Sequence, residues 1–377
     1  MPAKAGRRRD DESGTAQGEE RADRTPRCLH LIPTFGIGGV ETAALSLENG
    51  QRGSVTIEVI ALASGNDPAR SHGRRTFGGQ LRSVRTFWDA IRYIARARPD
   101  VLVCSLWPSL LVGIAVKLRR PQTKLVVFAH SAGLKHRIDA LVFRLALRLA
   151  NALWTDSRAT LEARQSMIPL GLRRRVISFR TAMPPRSDDE PEFRNSAGFI
   201  VWSRINASKG FVEAVEVVDR LRAYDDEVSY DIYGPDDGFG DALRQAVRAR
   251  SLQHIVRLHP AIDQDQITHL AMRETFFLLL SEREGAGMAV MEAMALGLIP
   301  VVTAVGDIAN YCNDGENALV FDGDIDRLVE RLRFLMADDV ARQRMSDAAR
   351  ATWRDVPEYR EDFARACHEL LELHYKS

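Results

Sequence analysis

The amino-acid sequence predicts an α/β protein of two domains, each a doubly wound parallel sheet, facing each other across a central cleft. The chain has 377 residues, more than a single domain of usual size requires. Short apolar segments alternate with helical patterns twice along it. Residues 181–197, rich in proline and charge, separate the two alternations and are predicted to link the domains.

The first domain is predicted over residues 27–180. Its predicted strands are CLHLIPTF, TIEVIALA, PDVLVCSLW, KLVVFAHS and ALWTDS. Helical patterns cover ETAALSLENG, residues 80–98 and residues 136–150. The run Arg173-Arg174-Arg175 is interpreted as an exposed loop.

The second domain is predicted over residues 198–360. Its predicted strands are GFIVWSR, VSYDIYG, VRLHPA, TFFLLLS and IPVVTA. Residues 361–377 are predicted to form a C-terminal helix that packs back toward the first domain.

Composition excludes several classes of protein. Residues 1–26 are charged and poor in large apolar residues, which predicts a disordered tail rather than a secretion signal. The four cysteines form no CxxC pair, so a disulfide framework or zinc site is not expected. A net charge of +1 gives no reason to expect a nucleic-acid partner. No apolar run is long enough for a membrane span, and a cytoplasmic protein is predicted.

A glycine-rich turn follows the first strand of the first domain. Gly38 and Gly39 stand before a predicted helix that carries Glu41 in its first turn. Glycines let the backbone approach a ligand closely, and the free amides of a helix N-terminus attract anions. A tight turn with no ligand is an equally good interpretation of this pattern.

The segment TFFLLLSEREGAGMAVMEAMALG carries a pair of carboxylates. Glu284 lies in the loop after an apolar strand and Glu292 on the following helix. Ligands of α/β sheets bind beyond the carboxyl ends of strands. There Gly285, Ala286 and Gly287 would offer backbone amides to a phosphate or sugar, and the carboxylates would accept hydrogen bonds from hydroxyl groups. Two solvated surface glutamates are the alternative.

These residues resemble the retaining GT-B glycosyltransferases of family 4, which carry E-x7-E before an EAMA-x-G-x-P-V-V segment. Three further matches follow the family's order: Gly38-Gly39-Val40-Glu41, Arg204 with Lys209 in SRINASKG, and Asp231-Ile232-Tyr233-Gly234. The resemblance covers residues 27–360. Ser203, where the family commonly has a glycine, and Thr181-Ala182, where it often has asparagine-glycine, depart from the pattern.

The resemblance implies a nucleotide-sugar donor held mainly by the second domain. Arg204 and Lys209, together with the amides of Gly38 and Gly39, would bind its diphosphate, which gains negative charge as the sugar leaves. Glu284 would bind donor-sugar hydroxyls and Glu292 the ribose. His130, which ends the strand LVVFAH, would lie near the sugar and acceptor; a structural histidine is the alternative. No metal or other cofactor is expected, because the two cations would neutralise the diphosphate.

The acceptor is expected to be a glycan, a lipid-linked molecule or a small molecule, in envelope or capsule polysaccharide synthesis. A nucleotide-sugar epimerase on the same fold and a non-catalytic nucleotide-sugar-binding subunit are the alternatives. The basic helix at residues 134–150 is interpreted as packed on the core with solvated arginines. Peripheral association with the inner face of the membrane is its alternative interpretation.

Overall fold

The computed structural model describes residues 25–36, 38–48, 55–65, 68–79, 81, 83–130, 133, 137–182 and 195–372. The predicted N-terminal tail lies outside these residues up to position 24. Residues 183–194 of the predicted linker lie outside them as well.

The first sheet contains seven parallel strands in the order β3-β2-β1-β4-β5-β6-β7. They are β1 Arg27–Thr34, β2 Thr56–Ala63, β3 Thr76–Gly78, β4 Val101–Ser105, β5 Lys124–Ala129, β6 Ala152–Thr155 and β7 Arg173–Val176. The strand order reverses beside β1, which is the doubly wound arrangement that places a ligand cleft at the carboxyl edge.

The second sheet repeats this arrangement with six parallel strands in the order β10-β9-β8-β11-β12-β13. They are β8 Asn195–Trp202, β9 Ser229–Tyr233, β10 Val256–His259, β11 Glu274–Leu279, β12 Ile299–Thr303 and β13 Leu319–Phe321. The predicted fold class is confirmed.

Helices cover both sheets. In the first domain they are α1 Gly39–Ser46, α2 Pro68–Ser71, α3 Val84–Ala97, α4 Leu106–Arg119, α5 Arg137–Leu149 and α6 Arg158–Arg164. After β8 they are α7 Phe211–Leu221, α8 Gly240–Ala249, α9 Gln264–Ala271, α10 Met288–Ala295, α11 Ile308–Tyr311, α12 Ile325–Ala337, α13 Asp339–Thr352 and α14 Tyr359–Glu372.

The interior strands are mostly apolar because parallel sheets are covered on both faces. In β1, for example, the six residues from Cys28 to Pro33 are all buried. One face of the first sheet packs beneath α3, α4 and α5. The other face joins a continuous core that includes the second domain and the final helix.

The C-terminal helix α14 packs against the first domain. The Phe363 ring lies 5.3 Å from His30 and 5.2 Å from Trp154, centroid to centroid. The Tyr359 amide donates to the carbonyl of Arg180 at 2.7 Å. The chain therefore returns to the first sheet after completing the second.

Two sequence expectations fail in this part of the molecule. Arg173–Val176 is an edge strand paired with β6, not an exposed loop. Consecutive arginines give no apolar alternation, and Arg175 is neutralised instead by Asp362 and Glu369 of α14. The predicted strand PDVLVCSLW ends at Ser105, where α4 begins, so Trp107 lies on a helix.

Candidate active site

The candidate site lies where the carboxyl ends of the two sheets face each other. Contacts among the described residues bring the domains together there. The His130 carbonyl oxygen and the Asp156 carboxylate lie 3.4 and 3.5 Å from the position a β-carbon would take on Gly285. The Met288 sulfur would lie 2.9 Å from such a carbon on Gly39. Asp307 accepts the amides of residues 158 and 159, at the start of α6, at 3.1 and 3.3 Å.

Lys209 stands in a short turn that follows β8. Asn206 caps this turn by accepting the Ser208 amide at 3.1 Å. The Ser208 carbonyl in turn accepts the Glu282 amide at 2.9 Å, which fastens the turn to the chain after β11. Gly210 has a φ of 63° and touches the Leu280 carbonyl, an approach that no side chain would allow.

This packing brings Lys209 and Glu284 into direct contact. The Lys209 ammonium donates to Glu284 Oε1 at 2.7 Å, and the Ser281 hydroxyl donates to the same oxygen at 2.8 Å. The two charged side chains are 16% and 11% exposed, respectively. Such a pair is weakly screened by solvent, so a ligand beside it would experience strong fields from both groups.

Arg204 is placed differently. It is exposed, and its guanidinium lies 3.6 Å from Asp237 in the loop after β9. The structure therefore brings together Lys209 and Glu284, while Arg204 stands at the rim of the same edge. A diphosphate could draw Arg204 away from this exposed ion pair, because such pairs contribute little energy.

Glu292 is engaged at both oxygens. Oε1 accepts from the Thr181 hydroxyl and Oε2 from the Trp202 indole, each at 2.8 Å. Burial raises the pKa of the Glu292 carboxyl, and these two bonds oppose that effect. The residue thus ties α10 to the start of the linker and to the end of β8. Each carboxylate oxygen has a further lone pair, so a ribose contact stays a prediction.

The loop from Glu284 to Gly287 is closely packed. Gly287 has a φ of 71° and precedes α10, and the Tyr311 hydroxyl donates to the carbonyl of Ala286 at 2.9 Å. The Gly306 backbone packs against the carbonyls of Glu284 and Gly285. This loop faces the turn at Gly38 and Gly39, as the contact of Gly39 with Met288 shows. The predicted roles of both glycine-rich segments stay predictions.

The His130 imidazole points into the first domain. It is 1% exposed and lies 4.2 Å from Phe128 and 5.4 Å from Phe179, centroid to centroid. Its Nε2 shares the Ser105 hydroxyl with His30 Nε2, each at 2.8 Å. Burial lowers the pKa of His130 well below its usual value, which keeps the ring neutral. It is the carbonyl of His130 that faces Gly285, and a direct role for the imidazole stays a prediction.

Asp156 and Asp307 were not identified from the sequence. Asp156 Oδ1 accepts from Ser157, and Oδ2 lies 3.9 Å from His130 Nδ1. Burial raises the pKa of Asp156 to about 6. A TDS tripeptide before a helix indicates an N-cap, and Ser157 does accept the Thr160 amide. Nothing in the sequence indicates that Asp307 approaches the same helix from the second domain.

Within the described ranges, no group of three histidine, cysteine or acidic residues is arranged to hold a metal ion. The same ranges contain no helix with the length and apolarity needed to cross a bilayer.

Two family models match the chain in succession. The model described as Glycosyltransferase Family 4 matches residues 37–178, and that described as Glycosyl transferases group 1 matches residues 186–352. Together they span most of both sheets, and they confirm the resemblance drawn from the motifs.

Three curated relatives share the name GDP-mannose:cellobiosyl-diphosphopolyprenol alpha-mannosyltransferase. The Xanthomonas campestris protein is 29% identical over 42% of this chain and 43% of its own length. The Xanthomonas oryzae protein is 27% identical over 33% of each chain. The chain thus matches less than half the length of these two relatives. The Komagataeibacter xylinus protein is 25% identical over 94% of both chains.

Solved structures share the fold. A glycosyltransferase from Rickettsia africae superimposes with a TM-score of 0.75 at 13% identity, over 94% of this chain and 100% of its own. The Anabaena protein HepE, solved with UDP and glucose, superimposes with a TM-score of 0.71 at 16% identity, over 93% of this chain and 99% of its own. At such low identity these similarities establish the fold alone.

Proposed function

Because the chain belongs to the group 1 glycosyltransferases of family 4, we propose that it transfers a sugar from a nucleoside-diphosphate donor to a lipid-linked acceptor. An epimerase or a non-catalytic subunit is not favoured, since the curated relatives are named as transferases.

One observation carries this proposal: the contact between Lys209 and Glu284 at the carboxyl edge of the second sheet. An ammonium has three donors, so Lys209 can keep its bond to Glu284 while it donates to a β-phosphate. The Ser281 and Lys209 bonds both fall on Glu284 Oε1. We assign Oε2 to a hydroxyl of the donor sugar. The Lys209–Glu284 pair would then bind both the β-phosphate and the sugar, the two groups joined by the bond that breaks.

The proposed transfer breaks the bond between the anomeric carbon and the β-phosphate oxygen. A new bond forms between that carbon and the acceptor hydroxyl oxygen. The acceptor proton passes to the departing phosphate, and the nucleoside diphosphate leaves. Retention of configuration is what the family resemblance implies, with attack on the face from which the phosphate departs. Lys209, Arg204 and the amides at Gly38 and Gly39 would stabilise the charge that develops on the diphosphate.

GDP-mannose is the first donor to test, and a disaccharide on a polyprenyl diphosphate is the first acceptor. Both come from the shared name of the curated relatives. We infer that the chain acts at the cytoplasmic face of a membrane, where a polyprenyl-linked acceptor would be embedded and nucleotide-sugars are available.

We also propose that transfer needs no metal ion, because Lys209 and Arg204 would neutralise the diphosphate. Transfer should then continue at an unchanged rate in excess EDTA. A loss of activity that returns with Mg²⁺ or Mn²⁺ would contradict this part of the proposal.

The test is an assay of purified full-length chain with a panel of nucleotide-sugars and the polyprenyl-diphosphate disaccharide in detergent micelles. Products are identified by mass spectrometry. Lys209→Ala should lower kcat by about 10²–10³-fold, the usual effect of removing one donor to a developing charge. An epimerase would instead convert the donor when no acceptor is present.

Lys124→Ala is the matched control. Lys124 is the first residue of β5 and so lies at the amino ends of the strands, away from the cleft. It should transfer at the wild-type rate. Lys209→Ala within threefold of wild type, with its fold intact, would remove the proposed role of the pair.

A further inference from the structure

The outer surface of the first domain exposes an unusual number of apolar side chains. Twelve large apolar residues are well exposed among those the structure describes, and eight of them lie on α3, α4 and α5. These eight are Val84, Trp88, Trp107, Leu111, Leu118, Ile138, Leu141 and Leu145. Scattered exposed apolar residues are normal, whereas a concentration on neighbouring helices indicates a binding surface.

The eight side chains follow the outward face of each helix. Successive exposed apolar residues are four positions apart in α3, four and then seven apart in α4, and three and then four apart in α5. Such spacings place them on one face of each helix. Opposite them, residues such as Ala90, Val112 and Ala146 are fully buried against the sheet. The expectation that α5 packs on the core with solvated arginines therefore accounts for its buried face and for its arginines. It does not account for its exposed leucines.

The three faces form one surface. α4 packs against both α3 and α5, and all three helices begin at the carboxyl edge of the sheet, on the side of the cleft. Six of the eight apolar side chains fall in the first halves of their helices, and so lie toward the cleft. They are Val84, Trp88, Trp107, Leu111, Ile138 and Leu141. We call these three outward faces the outer helix surface.

The charge of this surface is strongly positive. Its exposed cations are Arg85, Arg92, Arg96, Arg119, Arg144 and Arg148. Among the described residues of these helices the acids are Asp89, which is partly exposed, and Asp139, which is 5% exposed. The Arg119 guanidinium lies 5.6 Å from the Trp88 ring centroid. Arginines thus alternate with apolar groups and outnumber the nearby carboxylates.

We propose that the outer helix surface docks on an anionic phospholipid bilayer. Leucine and tryptophan side chains enter the headgroup layer, while the arginines bind lipid phosphates. A bilayer suits this surface because a fluid layer needs no matching acidic side chains and no fixed shape. The inference rests on the proposed function, because docking would serve to hold the cleft beside a lipid-linked acceptor.

Vesicle co-sedimentation of the full chain tests this inference. Binding is measured on phosphatidylcholine vesicles with and without 30% phosphatidylglycerol. The wild type should prefer the anionic vesicles and release them at 0.5 M salt. Two double variants, Trp88→Ser with Leu141→Ser and Arg92→Glu with Arg144→Glu, should each lower the affinity at least tenfold.

The matched control is Phe334→Ser with Arg344→Glu, which changes an exposed phenylalanine and an exposed arginine on α12 and α13. It should bind vesicles as the wild type does. An equal loss of vesicle affinity in the control and in the surface variants would overturn the inference. So would a wild type that does not bind vesicles. So would a wild-type dimer, detected by sedimentation velocity, that the Trp88→Ser with Leu141→Ser variant dissociates.

A parallel assay separates this inference from the proposed function. In detergent micelles, where no bilayer has to be found, both surface variants should transfer sugar at the wild-type rate. Vesicle binding without any sugar transfer would reject the proposed function, while the docking inference would still be supported. Transfer in micelles without vesicle binding would reject the docking surface alone.

Discussion

Burial controls the protonation of the groups on the first-domain side of the cleft. His130 is neutral because burial lowers its pKa, and a charge on the nearby His30 would lower it further. The pKa of Asp156 is raised to about 6, mainly by burial and also by the neighbouring Asp307. The hydroxyls of Ser157 and Thr160 oppose this shift. A carboxylate in this position therefore destabilises the folded chain at neutral pH.

The pKa of Asp156 predicts how stability varies with pH. Well below pH 4 the folded and unfolded chains both keep the proton on Asp156. Between pH 4 and 6 the unfolded chain releases it first, so the free energy of unfolding falls as pH rises, by about 3 kcal/mol in all. Asp156→Asn has no carboxyl group to ionise, so its free energy of unfolding relative to the wild type should increase by most of that amount from pH 4 to pH 7.

Urea unfolding at several pH values measures this effect. Asp241→Asn is the control, because the Asp241 side chain is fully exposed. A pH-independent difference for Asp156→Asn would contradict the burial argument.

At the scale of the element, the turn at residues 206–210 decides where Lys209 lies. Its position depends on the close approach of Gly210 to the Leu280 carbonyl, where a β-carbon would stand only 1.9 Å from the oxygen. The adjacent bond from the Glu282 amide to the Ser208 carbonyl holds the turn beside the strand that leads to Glu284.

Gly210→Ala should therefore reduce both stability and transfer. A positive φ alone costs about 1–2 kcal/mol for an alanine, and the clash with the Leu280 backbone should add at least about 2 kcal/mol. Gly315→Ala supplies the comparison, because Gly315 has a φ of 75° and nothing lies within 4 Å of a β-carbon there. Thermal unfolding and the transfer assay measure the two variants. Equal losses would show that the approach to Leu280 is unimportant.

At the scale of the whole molecule, α14 fastens the end of the chain to the first domain. Asp362 accepts from the Arg175 guanidinium at 2.6 Å and from the Ser178 amide at 2.9 Å. Its side chain is 8% exposed, whereas that of Glu369, the second partner of Arg175, is 51% exposed. The two acids therefore differ in burial while sharing one cation.

Asp362→Ala should lower the free energy of unfolding by about 3 kcal/mol, because it leaves the partly buried Ser178 amide without its acceptor and Arg175 with only its exposed partner. Glu369→Ala should cost less than about 1 kcal/mol, since exposed ion pairs contribute little. Urea unfolding monitored by tryptophan fluorescence compares them. A loss for Glu369→Ala as large as that for Asp362→Ala would contradict this ranking.

The sequence by itself determined the two parallel sheets, because buried strands and amphipathic helices leave local patterns such as CLHLIPTF and KGFVEAVEVVDRLRAY. It also indicated Lys209 and Glu284, since a basic residue and an acidic one each followed a predicted strand of the same domain. Only the tertiary structure decided that these two side chains are in contact, that Glu292 bonds with Thr181 and Trp202, and that the His130 imidazole points inward. Those outcomes depend on packing between segments that are far apart in the chain, and no local sequence pattern indicates such packing.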